Sequence, residues 1–215
     1  MLFALLLFAL QDDAEATFKK FEKQYAEAKS LSTKFKLEIR EPGEDAPAAS
    51  VTGSLRVKPG EKIVLAMTIV EKGSTQEMEV RSDGRQVVQL NDGRRTEKPP
   101  REGTTKFFVA ALSRSGYGLL LLVPQPDEGK VPDPDDFAKP KDFKLSKDGD
   151  DVVLEYTIAT KGLGDLRQKL WLTSALVPKK RVLTVKDGDK EGSFTETYEG
   201  VSTAEIPDSE FEHKK

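Results

Sequence analysis

The chain has no cysteine, one histidine and one tryptophan among its 215 residues. Without cysteine there is no disulfide framework, no thiol nucleophile, no thiolate-bound metal and no lipid-modified N-terminal cysteine. His213 stands beside the end of the chain, where backbones commonly fray, so a histidine-based catalytic or zinc site is not expected. An excess of one charge is also missing: 34 Lys and Arg face 37 Asp and Glu, and the net charge of -3 provides no basic field for nucleic acid. Nucleophile elbow, phosphate loop, zinc-binding histidine pair and dinucleotide fingerprint are all absent. These gaps favour a non-enzymatic protein without cofactor or metal. The enzymatic option left is a carboxylate pair hidden among the many Asp and Glu residues.

The chain opens with MLFALLLFAL, an apolar run shorter than the ~20 residues needed to span a bilayer. It fits the apolar region of a secretory signal over residues 1–16, with the small-x-small pattern Ala14-Glu15-Ala16 pointing to cleavage after Ala16. Cleavage before Asp12 is the rival site, and a retained N-terminal helix is the alternative to export. Ala14, Phe18, Phe21, Tyr25 and Ala28 then recur at the spacing of one helix face, which predicts an amphipathic helix over residues 14–30 lying on a sheet.

From Thr33 the period changes to two. Phe35, Leu37 and Ile39 alternate with charged residues, and Val51, Gly53, Leu55 and Val57 form a second such strand. The stretch 53–90 is the expected sheet centre. Within it, residues 63–70 are apolar on both faces, with Leu65, Met67 and Ile69 pointing one way and Val64, Ala66 and Val70 the other, so both faces need cover. Met78 and Val80 mark the next strand. Asp-Gly pairs beginning at Asp83, Asp92, Asp148 and Asp187 mark turns between sequential strands, and a second group of strands follows Phe143. Residues 96–103 are read as an interruption of the meander.

Two apolar bursts lie between the strand groups: Phe107, Phe108, Ala111 and Leu112 on a helix capped by Thr104, then residues 119–123 ending at Pro124. Ordinary core helices and a lid over an apolar cavity are both open readings of residues 104–123. Residues 124–140 read as a polar loop, and Asp133, Asp135 and Asp136 lack the glycine and distal glutamate of a calcium loop. Lys179, Lys180 and Arg181 read as a solvated hairpin tip, with docking to an acidic surface as the alternative. The whole predicts one α+β domain over residues 17–211, with a short polar tail at 212–215 and a sheet long enough to curl around an apolar ligand. The expected pocket lining is Leu65, Met67, Ile69, Met78, Val80, Phe107, Phe108, Leu112 and Leu120.

The order of motifs resembles the periplasmic outer-membrane lipoprotein carrier family, the LolA-like proteins. AKSLSTKFKLEI follows the helix, G-x-L-x-V-x-P spans residues 53–59, S-D-G spans 82–84, KDGDDVVLEY spans 147–156 and IPDSEF spans 206–211. The resemblance implies an incomplete, strongly curled antiparallel β-barrel with helices covering its concave, apolar side. It implies a monomeric periplasmic carrier of acylated lipoprotein or lipid, loaded by an inner-membrane transporter and unloaded to an outer-membrane acceptor. A lipid-sensing module on the same fold is the alternative. Where the family often carries a lid-closing arginine, this chain has Lys58, which lacks the planar fork for two directed hydrogen bonds. The usual continuation after the last phenylalanine is nearly absent.

Overall fold

The computed structural model describes residues 2–100, 137–160 and 164–213. Helix α1 (Leu2–Ala26) is followed by β1 (Leu31–Arg40), β2 (Ala49–Lys58), β3 (Lys62–Glu71), β4 (Ser74–Asp83), β5 (Val87–Asn91) and β6 (Arg94–Lys98). After residues 101–136 come β7 (Phe137–Asp148), β8 (Asp151–Thr160), β9 (Gly164–Leu172), β10 (Pro178–Asp187) and β11 (Lys190–Ser202). The eleven strands form one sheet in the order β6-β5-β4-β3-β2-β1-β11-β10-β9-β8-β7. Each half is a meander of sequence neighbours. The halves join where the first strand pairs antiparallel with the last, Phe35 opposite Tyr198 and Ile39 opposite Phe194. Among the described residues the sheet is open, with β6 and β7 as its edges.

Alternation decides which face is covered. Leu31, Phe35 and Leu37 of β1 are buried while Lys34 and Lys36 between them are exposed. Their partners Val57, Val51, Ile63, Leu65 and Val80 continue the same buried cluster across β2, β3 and β4. We call this side the core face. Phe21 and Tyr25 of α1 join that cluster, and Ala14 and Phe18 pack with Phe143 and Leu154 from β7 and β8. The helical stripe read from the sequence therefore lies on the core face, but the helix ends at Ala26, before Ala28.

Three other expectations are corrected. Residues 96–98, expected to begin an interruption, belong to strand β6; every residue of β6 is exposed, so no apolar alternation reveals it, and the ladder to β5 carries it. β7 starts at Phe137, inside the expected loop. It accommodates Pro140 because it is an edge strand whose register shifts twice, as strands tolerate proline. Lys179, Lys180 and Arg181 are not a solvated tip: β10 begins at Pro178, so successive side chains go to opposite faces and Arg181 is buried. The expected helical cover from residues 104–123 and the aspartates at 133, 135 and 136 lie outside the described residues.

Two turns show how the sequence sets register. At Lys72-Gly73 and Asp92-Gly93 both central residues have positive φ, the geometry of a two-residue hairpin that matches strand twist. Gly53 has a different task. It lies opposite Phe35, whose ring crosses the space a side chain would take; a Cβ there would sit 2.5 Å from the Ala66 carbonyl oxygen and 2.8 Å from the Phe35 ring. Gly53→Ala is thus expected to lower stability by about 1–3 kcal/mol, as overpacking does. Urea denaturation checks this, and an unchanged midpoint would refute it.

Candidate functional site

Five of the nine expected lining residues share the core face. Leu65 and Val80 are opposite one another and fully buried. Met67 pairs with Met78, and Ile69 stands two residues further along β3; all three are half-buried at the margin of the cluster. Ile39 and Phe194, paired between β1 and β11, are also half-buried members of that margin. Together they make an apolar band across β11, β1, β3 and β4, floored by buried Leu37 and Val51. The other four expected residues, Phe107, Phe108, Leu112 and Leu120, lie outside the described residues.

Beside this band the core face carries a charge. Arg181 and Glu196 are opposite each other on β10 and β11 and are 5% and 1% exposed. Arg181 Nε and Nη2 donate to the two Glu196 oxygens at 3.1 and 2.9 Å, a two-point fork, and Nη1 donates to Gln168 Oε1 at 2.8 Å. The Tyr198 hydroxyl donates to the same carboxylate. Burial works most strongly against the charged guanidinium, but the Glu196 carboxylate together with Tyr198 and Tyr156 outweighs it and the Arg181 pKa is raised. Burial, and then the Glu196 charge, lifts the Tyr198 phenol well above its ordinary value, so it stays a donor. Tyr156, also desolvated, is pushed up to about 12. The sequence hid this site because Arg181 stands behind two lysines that face solvent chemistry: Lys179 pairs with Asp151 at 2.7 Å, and Lys180 lies over the Trp171 ring. The available signal was the alternation of Arg181, Leu183 and Val185.

The opposite face of β3 is covered differently along its length. Val64 is buried under Ile206 and Phe211, whereas Val70 is 41% exposed. The segment 203–213, after β11, lies on this outer face. Lys58 belongs to it: its ammonium donates to Ile206 O at 3.1 Å and to Asp208 at 2.8 Å. Lys62 reaches the second Asp208 oxygen at 2.6 Å. Further along the outer face is a groove of about 560 Å³, edged by the hydroxyls of Thr52, Ser54 and Thr68 and by Lys34, Glu77 and Glu79. Its polar rim suits an acyl chain less well than the core-face band.

No family model and no curated protein matches this chain. Among solved structures, LprF from Mycobacterium bovis superposes with a TM-score of 0.51 at 13% identity, over 91% of this chain and 95% of that one. This chain shares the fold of LprF. A LolA superfamily protein from Nitrosomonas europaea (12% identity, 93% and 97% covered, TM-score 0.37) and a DUF1329 family protein from Desulfovibrio piger (10% identity, 95% and 98% covered, TM-score 0.28) are also similar. At these identities the likeness is one of fold. Of the expected fold, the described residues show an open antiparallel sheet of eleven strands and one α-helix. Among the described residues, no helix is long and apolar enough to cross a membrane.

Two outcomes test this geometry. Arg181→Ala leaves the Glu196 carboxylate buried without its fork and is expected to cost about 3–5 kcal/mol. Arg181→Met with Glu196→Leu should recover most of that loss in a denaturation experiment, and equal damage from both variants would contradict the pairing. Lys58, then Lys62, hold the Asp208 carboxyl down at about 2 from its usual 3.8. A depressed carboxylate stabilises above its unfolded pKa and loses its effect as pH falls through the folded one. Contact of residues 206–211 with the sheet is therefore expected to persist at pH 4 and loosen as pH falls towards 2, and an NMR titration of the Asp208 carboxyl near 3.8 would contradict it.

Proposed function

We propose that this protein is a non-enzymatic, soluble carrier that shelters the acyl chains of lipoproteins or related lipids. The half-buried band of Ile39, Met67, Ile69, Met78 and Phe194 on the core face is the observation that carries this reading. An open sheet whose covered face ends in half-exposed methionine and isoleucine has apolar surface to share. Methionine suits cargo of varied shape because its unbranched side chain adapts. Sheltering an acyl chain is worth about 0.8 kcal/mol per methylene, so a long chain contributes roughly 10 kcal/mol before the costs of ordering. Release then needs an acceptor that binds better, or a carrier state that binds worse.

In this reading the protein works in the periplasm as a monomer, taking cargo from an inner-membrane transporter and giving it to an outer-membrane acceptor. Export follows from the N-terminal apolar run. Ala14 is fully buried against the Phe18, Phe143 and Leu154 cluster, which favours cleavage before Asp12 over cleavage after Ala16. Mass spectrometry of the exported protein is expected to find a chain beginning at Asp12; one beginning at Thr17 would have lost a core residue and would overturn that choice.

Displacement of a fluorescent fatty-acyl probe from the full chain tests the carrier reading. Met67→Glu and Ile69→Glu should each weaken probe binding at least tenfold, by placing a charge in the band. Val70→Glu, on the outer face of the same strand, should leave it unchanged. A wild-type chain that binds no probe, or equal effects from the two faces, would sink the proposal.

A further inference from the structure

The segment 203–213 is held to the sheet by side chains. Among the described residues, no main-chain hydrogen bond joins it to the strands it covers; its own backbone closes only local turns, such as Phe211 N–H to Asp208 O at 3.0 Å. Side chains do the holding. Ile206 and Phe211 cover Val64. Asp208 bridges Lys58 and Lys62 at 2.8 and 2.6 Å, and Glu210 meets Arg56 at 3.2 Å. Arg81 donates to the carbonyls of Glu210 and Glu212 at 3.0 and 3.3 Å.

Seen from the sheet, this is a recognition site. Register puts Arg56, Val64 and Arg81 side by side on β2, β3 and β4, with Lys58 opposite Lys62 one step away. Four cations surround an apolar centre. Their present occupant, Ile206-Pro207-Asp208-Ser209-Glu210-Phe211, has two carboxylates between two apolar anchors, which is the complementary pattern. Most of the ion pairs are solvent-exposed, so they confer selectivity and are screened by salt, while the two anchors supply the adhesion. A segment held in this way can be exchanged for another carrying the same side chains.

The strap also reaches the connection between α1 and β1. Ser30, fully buried between α1 and β1, donates to Ala204 O at 2.6 Å and accepts from Ile206 N–H at 3.1 Å. It follows the helix whose Phe21 and Tyr25 cover the core face. We propose that the patch of Arg56, Lys58, Lys62 and Arg81 around Val64 is a docking site for an acidic amphipathic segment of a partner protein. The chain's own residues 206–211 mask it, and exchanging them for the partner loosens the end of α1 through Ser30. The use of this exchange to release cargo rests on the carrier reading; the docking itself does not.

The test uses the full chain and an acetylated, fluorescent peptide of residues 206–213, which lacks Ala204 and cannot replace its bond to Ser30. Phe211→Ser weakens the strap and leaves the patch intact, so it should bind the peptide at least tenfold more tightly than wild type. Adding Arg81→Glu or Lys58→Glu in that background should reverse the gain, and raised salt should weaken binding. Hydrogen exchange at residues 26–31 should rise when peptide is added. If Phe211→Ser does not fold, Asp208→Asn serves as the weakened strap. A folded, strap-weakened chain that shows no saturable binding overturns the docking site; binding with unchanged exchange at residues 26–31 overturns the coupling. Acyl-probe binding read in the same samples fails separately, and its loss alone refutes only the carrier reading.

Discussion

The pairing of β1 with β11 is the constraint on which everything else rests. Among the described residues it is the one strand pairing that joins two meanders that would otherwise be separate sheets. It sets Leu37 beside Glu196 and Ile39 beside Phe194, so the apolar band and the buried charge become neighbours. It also delivers the chain, at the end of β11, to the point where Ser30 and the outer face of β2 can receive it. Such long-range pairing costs loop-closure entropy and favours slow folding, since these contacts form only after distant segments meet.

The two faces divide the labour. On the core face, buried aliphatic side chains supply adhesion, and the Arg181–Glu196 fork supplies uniqueness more than strength. A buried pair roughly repays its own desolvation, but it penalises any register that separates its members. One residue of slippage between β10 and β11 would strand both charges. On the outer face, long cations and a short irregular segment do the covering. Their contacts are individually weak and exposed to salt, which suits a cover that can be exchanged.

Much of this was legible in the sequence. The alternation of Phe35, Leu37 and Ile39 and the Asp-Gly turns marked the two meanders of one antiparallel sheet. The split of β3, with Leu65, Met67 and Ile69 opposed to Val64 and Val70, was readable because strand period is two. Other features were invisible for definite reasons. β6 has no apolar residue to report its pairing. Arg181 looked like part of a basic run because composition does not say which of three adjacent cations turns inward. Lys58 was read through a resemblance that assigns its position to lid closure; its bonds to Asp208 and Ile206, set by contacts between residues some 150 positions apart, have no local signature.

The edges of the sheet carry a last consequence. β6 is Arg-Arg-Thr-Glu-Lys, exposed throughout, and β7 holds a proline and two register shifts. Both are poor templates for an added strand, because charge and irregular backbone discourage ladder extension. Among the described residues, the eleven-stranded open sheet is therefore guarded against growing sideways into polymers. In the carrier reading, apolar surface on the faces is tolerable because the borders do not invite aggregation.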